Sequence, residues 1–270
     1  MNNPDIIKEF YRGYADRIVS KRWRSKYPLR AYVHERQYQS VLSYVKPGMN
    51  VLDAGCGEGI LSLMMAEKGA CVTGVDLSIP NVEVCIKRAA EHNLSGRVSF
   101  QTGDVEHLPF EDNFFDLVVS SHVLEHVPDF NKGLSEVMRV TKRRAVVAIP
   151  TINNPCSWIQ VGRGWYYLKG SRSFLALPYG LILALFALVS GREGVNESYG
   201  REDIPHIFRF IHAMEKRISA VGVHLVSYEA TSLLLPYFSF FLPVVNYFDR
   251  YKGKPILRNF GYGTTFLIEK

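Results

Sequence analysis

The chain has 270 residues, 47% of them hydrophobic and 21% charged, a balance that excludes bulk disorder and supports a large buried core. Its formal charge of +6 is a mild excess, and the charged N-terminal stretch from Asp5 onward lacks the apolar run of a secretory leader. Cys56, Cys71, Cys85 and Cys156 make no CxxC pair, which argues against a zinc knuckle or a disulfide scaffold and fits a reducing cytosol.

In chain order, residues 1–46 are expected to form a helical cap. Within it Lys21-Arg22-Trp23-Arg24-Ser25-Lys26-Tyr27-Pro28-Leu29-Arg30 gathers cations and aromatics with no acid. That patch suits phosphate or anionic lipid headgroups, or is a solvated face; without a binding module beside it, nucleic acid is not expected. Residues 47–150 form the core unit. Val51 to Gly55 reads as a buried strand ending in a glycine turn, and Ile60 to Lys68 as a helix closed by Gly69. Cys71–Val75 is a second strand, and Pro80 opens a helix through about Asn93. Val98–Phe100 and Phe115–Ser120 are further strands, followed by a helix over Lys132–Val140 and a fifth strand over Ala145–Ile149. Apolar strands alternating with helices predict an α/β, doubly wound parallel sheet with ligands beyond the carboxyl ends of its strands. Downstream, the spacing predicts a helix over Asp203–Val221 and strands over Val223–Tyr228 and Thr264–Ile268.

The turn Asp53-Ala54-Gly55-Cys56-Gly57-Glu58-Gly59 carries the first chemical signal. Ile60 stands where a dinucleotide fingerprint wants Gly or Ala, and no Gly-Lys-Ser/Thr follows for a phosphate loop. What remains is an acid beside alternating glycines, which lets a ligand approach the backbone and suits a cationic end. Asp76 closes the second strand and Asp104 follows the third. A carboxylate is acceptor-only with two oxygens, matching the two hydroxyls of a ribose at Asp76 and an exocyclic amine at Asp104. With these acids and Leu108-Pro109-Phe110, Phe115-Asp116-Leu117-Val118 and Leu124-Glu125-His126-Val127, the stretch Val51–Ile149 resembles the class I S-adenosylmethionine-dependent methyltransferases. The resemblance implies a Rossmann-like sheet of seven strands, the last antiparallel, and S-adenosyl-L-methionine as cofactor. It places Asp53, Gly55, Cys56 and Gly57 at the methionine end, Asp76 on the ribose, Leu77 beside the adenine and Asp104 on the adenine amine, with Val105 and Ser120 completing the site. Tyr11 and Tyr14 then resemble the aromatic N-terminal helix that covers the cofactor in relatives. Val140-Thr141-Lys142-Arg143-Arg144 departs from the Pro-Gly-Gly turn common before the fifth strand.

His122-Val123-Leu124-Glu125-His126 also matches the inverted zinc-protease pattern. That reading needs a helix around the motif and a third ligand on another element. A strand directly before it and Pro128 just after it oppose the helix, so no metal is expected. The same residues fall where a methyl group and its acceptor meet. His122 and His126 are the candidate catalytic bases for an acceptor hydroxyl, while His126 has the plainer reading of a packed, hydrogen-bonded side chain.

Two apolar insertions interrupt the later sheet, at 151–200 and at 230–261. Ser173–Gly191 and Ala230–Phe248 are uncharged and approach the ~20 residues that span a bilayer, but Pro178, Pro236 and Pro243 break them. They read as interfacial segments or a greasy lid, or as packing on each other or at a homodimer contact. Quinone-precursor methyltransferases carry an insertion in the first of these places. The expected function is methyl transfer to an oxygen, with carbon or nitrogen open, of a hydrophobic or lipid-linked small molecule. The expected location is cytoplasmic, peripheral on the inner face of an anionic membrane. The alternatives are a soluble methyltransferase of secondary metabolism and a non-catalytic methyltransferase-like binding protein.

Overall fold

In chain order the elements are α1 (Pro4–Arg12), α2 (Pro28–Leu42), β1 (Asn50–Ala54), α3 (Ile60–Glu67), β2 (Cys71–Asp76), α4 (Ile79–Glu91), β3 (Val98–Thr102), β4 (Phe115–Ser121), α5 (Phe130–Val140) and β5 (Thr141–Pro150). They continue with α6 (Pro155–Val161), α7 (Ala176–Val189), β6 (Gly194–Asn196), β7 (Ile207–Arg209), α8 (Ile211–Ala220), β8 (His224–Ala230), α9 (Leu242–Asp249) and β9 (Gly263–Glu269). This computed structural model describes residues 4–14, 28–162, 176–197, 204–233 and 242–270.

Successive strand residues point to opposite faces, so a fully apolar strand must be covered twice. In β1, Leu52 and Ala54 join one core with Phe115, Leu134, Val147 and Phe266, while Val51 joins the other with Val41, Met65 and Val146. The seven-stranded sheet runs β3-β2-β1-β4-β5-β9-β8. β3, β2, β1, β4 and β5 are mutually parallel, and β9 lies antiparallel between β5 and β8. The strand order reverses between β1 and β4, which opens a crevice at their carboxyl ends. Local chemistry sets the helix starts there: Ser78 caps α4 by accepting from Asn81 N–H, and Asp129 caps α5 by accepting from Asn131 and Lys132.

Two expectations need correction. The described residues 204–210 do not begin a helix: β7 occupies Ile207–Arg209, pairs with β6, and only then does α8 start at Ile211. Pro205 favours extended backbone around it, and Ile-Phe-Arg suits a strand. The 151–200 insertion contains α6, α7 and β6; α7 is apolar on every side, so no helical periodicity showed in its sequence. Val140–Arg144 is not a turn: β5 begins at Thr141, directly after α5. Its cations face acids, with Lys142 on Asp116 at 2.7 Å and Arg143 and Arg144 on Glu269 at 2.6 and 2.8 Å.

α6 and α7 are joined through small residues. A Cβ on Gly180 would stand 1.8 Å from the Trp158 carbonyl oxygen, so only glycine permits this approach. The buried face of α7 is Ala176, Gly180, Ala184 and Ala187. Its large side chains point outward, with Ile182 61%, Phe186 59% and Val189 88% exposed. α9 likewise exposes Val244, Tyr247 and Phe248. Among the described residues no helix is long and apolar enough to cross a membrane. The cationic stretch Lys21–Arg30 lies outside the residues whose side chains are described.

Candidate functional site

The glycine turn after β1 requires its glycines for different reasons. Gly55 (φ +87°) faces Val123, whose Cγ2 would lie 2.3 Å from an added Cβ, so the turn abuts the segment after β4. Gly57 (φ +52°) faces open space, with nothing within 4 Å of a Cβ there. Gly55 and Cys56 N–H groups both donate to the Val75 carbonyl, at 2.7 and 2.9 Å, tying the ends of β1 and β2 together.

Asp76 braces this turn: its carboxylate accepts from Gly57 N–H at 2.8 Å and Ser78 N–H at 2.9 Å. Burial raises its pKa, opposed by those same N–H groups. Asp53 is buried beneath the turn, accepting from Ser62 Oγ at 2.5 Å, and burial pushes its carboxyl up to about 7. Asp104 accepts from Glu106 N–H and is bridged, together with Glu106, by the Lys8 ammonium at 2.7 Å to each. Burial would raise the Asp104 carboxyl, but Lys8 and the Glu106 amide hold it below the usual range. Leu77 is half-buried beside Asp76. Val105 turns into the core next to Leu124, and Ser120 is wholly buried with no hydrogen bond to its Oγ among the described residues.

Helix α1 lies across the carboxyl ends of three strands. Lys8 reaches Asp104 after β3, the Tyr14 carbonyl accepts from Ser78 Oγ after β2 at 2.6 Å, and the Tyr11 ring sits 5.6 Å from His126 after β4.

His122 ends β4 in the left-handed region, at φ +58°. Its Nδ1 lies 3.2 Å from Glu125 Oε1. An ionised carboxylate only accepts, so Nδ1 carries the proton and Nε2 the lone pair. Burial would raise the Glu125 carboxyl, but the His122 hydrogen bond and the three neighbouring imidazoles hold it down at about 2. Among the described residues neither His122 Nε2 nor Glu125 Oε2 has a hydrogen-bond partner, and both are buried. His126 plays a different part. Its Nδ1 meets the Pro205 carbonyl at 3.0 Å, its ring stacks on His206 at 4.7 Å and 26°, and burial pushes its pKa down to about 4.

The structure thus brings Asp53, Gly55, Cys56, Gly57, Asp76 and Leu77 around one turn, with Asp104 under α1 and His122 next to the Val123 that faces Gly55. It adds Glu125, Lys8, His206, Glu197 and Arg209, none of which was singled out from the sequence. Glu125 stood inside a recognised motif and its spacing to His122 was the available signal. The 204–209 residues gave none, because only the β6–β7 pairing returns them to β4.

Residues 52–149 match the family described as Methyltransferase domain. The chain is 35% identical over 105 residues to a ubiquinone biosynthesis O-methyltransferase of Bartonella tribocorum, covering 39% of this chain and 42% of that one. It is 34% identical over 126 residues to a malonyl-[acyl-carrier protein] O-methyltransferase of Serratia marcescens, covering 47% of each. The chain therefore spans less than half the length of these relatives. The solved magnesium protoporphyrin IX methyltransferase of Synechocystis PCC 6803, with bound SAH, shares the fold at a TM-score of 0.59 and 18% identity, over 99% of this chain and 100% of that one.

Proposed function

Taking as premise that residues 52–149 form a class I S-adenosylmethionine-dependent methyltransferase domain, we propose that this chain methylates an oxygen of a hydrophobic or lipid-linked small molecule at a membrane surface. The observation that carries the chemistry is the His122–Glu125 pair, a partly buried imidazole with its Nε2 lone pair unengaged, next in the chain to the Val123 that packs against Gly55.

The residues present fit the cofactor. Gly57 leaves a cradle that a Cβ would invade, Asp76 retains acceptor capacity for ribose hydroxyls, and Asp104 accepts from an amine beside Lys8. Asp53 beneath the turn, with Gly55 and Cys56, favours a cationic methionine end. Bound there, S-adenosyl-L-methionine supplies an activated methyl group. What the chain adds is positioning and proton removal. Val123 against Gly55 fixes the distance between the β4 segment and the turn, and α1 closes over the strand ends to exclude water. His122 Nε2 takes the proton of the acceptor hydroxyl while Glu125 holds the ring in the correct tautomer and offsets the imidazolium charge.

The acceptor class is argued from the outer faces of α7 and α9. Both present large apolar side chains to solvent, more than a single-chain surface ordinarily leaves uncovered in one stretch. Relatives named for ubiquinone biosynthesis and for malonyl-[acyl-carrier protein] support the same reading. Methyl transfer from labelled cofactor to phenolic and carboxylic acceptors, each with a short or a long apolar tail, tests the reading. His122→Ala should lower turnover by about 10²–10⁴ while leaving cofactor affinity in place. Full turnover in that variant would remove His122 from the role of base.

A further inference from the structure

We propose that Glu125, His126 and His206 form a binding site for a divalent transition-metal ion of the zinc class, fastening the inserted β6–β7 hairpin to the end of β4. One ligand atom from each of the three residues lies within 4.8 Å of the other two. Two imidazoles and a carboxylate are a donor set suited to zinc and its neighbours, and unsuited to the all-oxygen preference of calcium or magnesium.

Two of the three donors are already held by an outer partner. His126 Nδ1 faces the Pro205 carbonyl at 3.0 Å, which makes it the protonated nitrogen and leaves the lone pair on Nε2. His206 Nδ1 lies 3.4 Å from Glu197 Oε2, within ion-pair reach but with no hydrogen bond between them. Glu125 Oε1 is taken by His122, while Oε2 is buried with no hydrogen bond among the described residues. A carbonyl that orients a ligating histidine in this manner belongs to the usual outer shell of a metal site. The carboxylates Glu125 and Glu197, against the single guanidinium of Arg209, leave the cluster with net negative charge when the imidazoles are neutral. Arg209 itself is drawn aside, stacked at 4.3 Å over the Phe130 ring.

The ligand set differs from the one the His-x-x-Glu-His spacing suggests. His122 is not among the residues whose ligand atoms converge; the second imidazole comes instead from His206, directly before β7. Donor atoms all within 4.8 Å of one another can reach an ion that holds its ligands at ~2.0–2.1 Å by small side-chain rotations. Because the ion would tie the hairpin to the end of β4, occupancy should be felt as stability of the hairpin.

The proposal does not depend on methyl transfer, and its test needs neither cofactor nor acceptor. Untagged full-length chain is stripped with chelator, loaded with zinc chloride, desalted and assayed for metal, in parallel with His206→Ala and with His224→Ala, a surface control on β8. About one equivalent of zinc is expected in the wild-type chain and the control, with binding at least about tenfold weaker in His206→Ala. Zinc should raise the melting temperature of the wild type and not of His206→Ala. Loading with cobalt(II) should give the visible absorption of a low-symmetry nitrogen–oxygen site. Less than a tenth of an equivalent in a wild-type chain that is folded and binds cofactor would overturn the site, as would equal zinc affinity in wild type and His206→Ala. Failure of methyl transfer with normal zinc uptake would instead count against the proposed function alone.

Discussion

At the scale of single residues, burial decides what each acid can do. Asp53 lies under the glycine turn with its carboxyl pushed up to about 7, against about 3.9 in an unfolded chain. Between those values the unfolded chain gives up the proton while the folded one keeps it. Stability therefore falls as pH rises from about 4 to about 7, and stays at the lower level above that. Asp53→Asn removes this dependence, so urea melts of wild type and variant should diverge between pH 5 and pH 8, the variant gaining on the order of a few kcal/mol relative to wild type at the higher pH. An equal difference at both pH values would mean that Asp53 is ionised in the free protein. The acids at 53, 76 and 104 were legible because strand ends and glycines mark them locally. The pairing of His122 with Glu125 was half legible, from spacing. Arg209 and His206 were not, since nothing local to them signals a partner some eighty residues away.

The elements of the insertions reverse the ordinary arrangement of a surface helix. α7 turns its alanines and Gly180 toward α6 and its large side chains outward. Sequence periodicity could not reveal this, because small and large apolar residues count alike in an apolar run. The consequence is testable without disturbing the fold: Ile182→Glu and Phe186→Glu replace exposed side chains, so melting should shift by no more than about 0.5 kcal/mol in stability. Flotation with anionic liposomes should be lost in the double variant, and the KM for long-tailed acceptors should rise far more than for short-tailed ones. Undiminished flotation would return this face to contact with protein. Conversely, Gly180→Ala should separate α6 from α7, costing about 1–3 kcal/mol, yet spare cofactor affinity, because the glycine turn belongs to the other half of the sheet.

For the whole molecule, the α/β class was readable from strands alternating with helices over short links, while the seven strands and the antiparallel last strand came from the family resemblance. The content of residues 151–210 was not, since the hairpin there is defined by what it docks on. Helix α1 shows the same long-range logic. Its Lys8 bridge to Asp104 and Glu106 latches a lid over the strand ends, so Lys8→Met should let cofactor enter and leave roughly tenfold faster, with affinity changed less. Unchanged rates in stopped-flow exchange would show that α1 does not gate the site. The position of β9 has a further consequence, in the order of events during synthesis. β8 is made before β9 but has no place on β5 until β9 lies between them. Until then the β5 edge stays open, carrying the buried run Ala145–Ile149. That open edge offers other nascent chains a strand to pair with. The half of the sheet that bears Asp53, Asp76 and Asp104 can form early from local units, whereas the half that carries the insertions waits for the last strand to arrive.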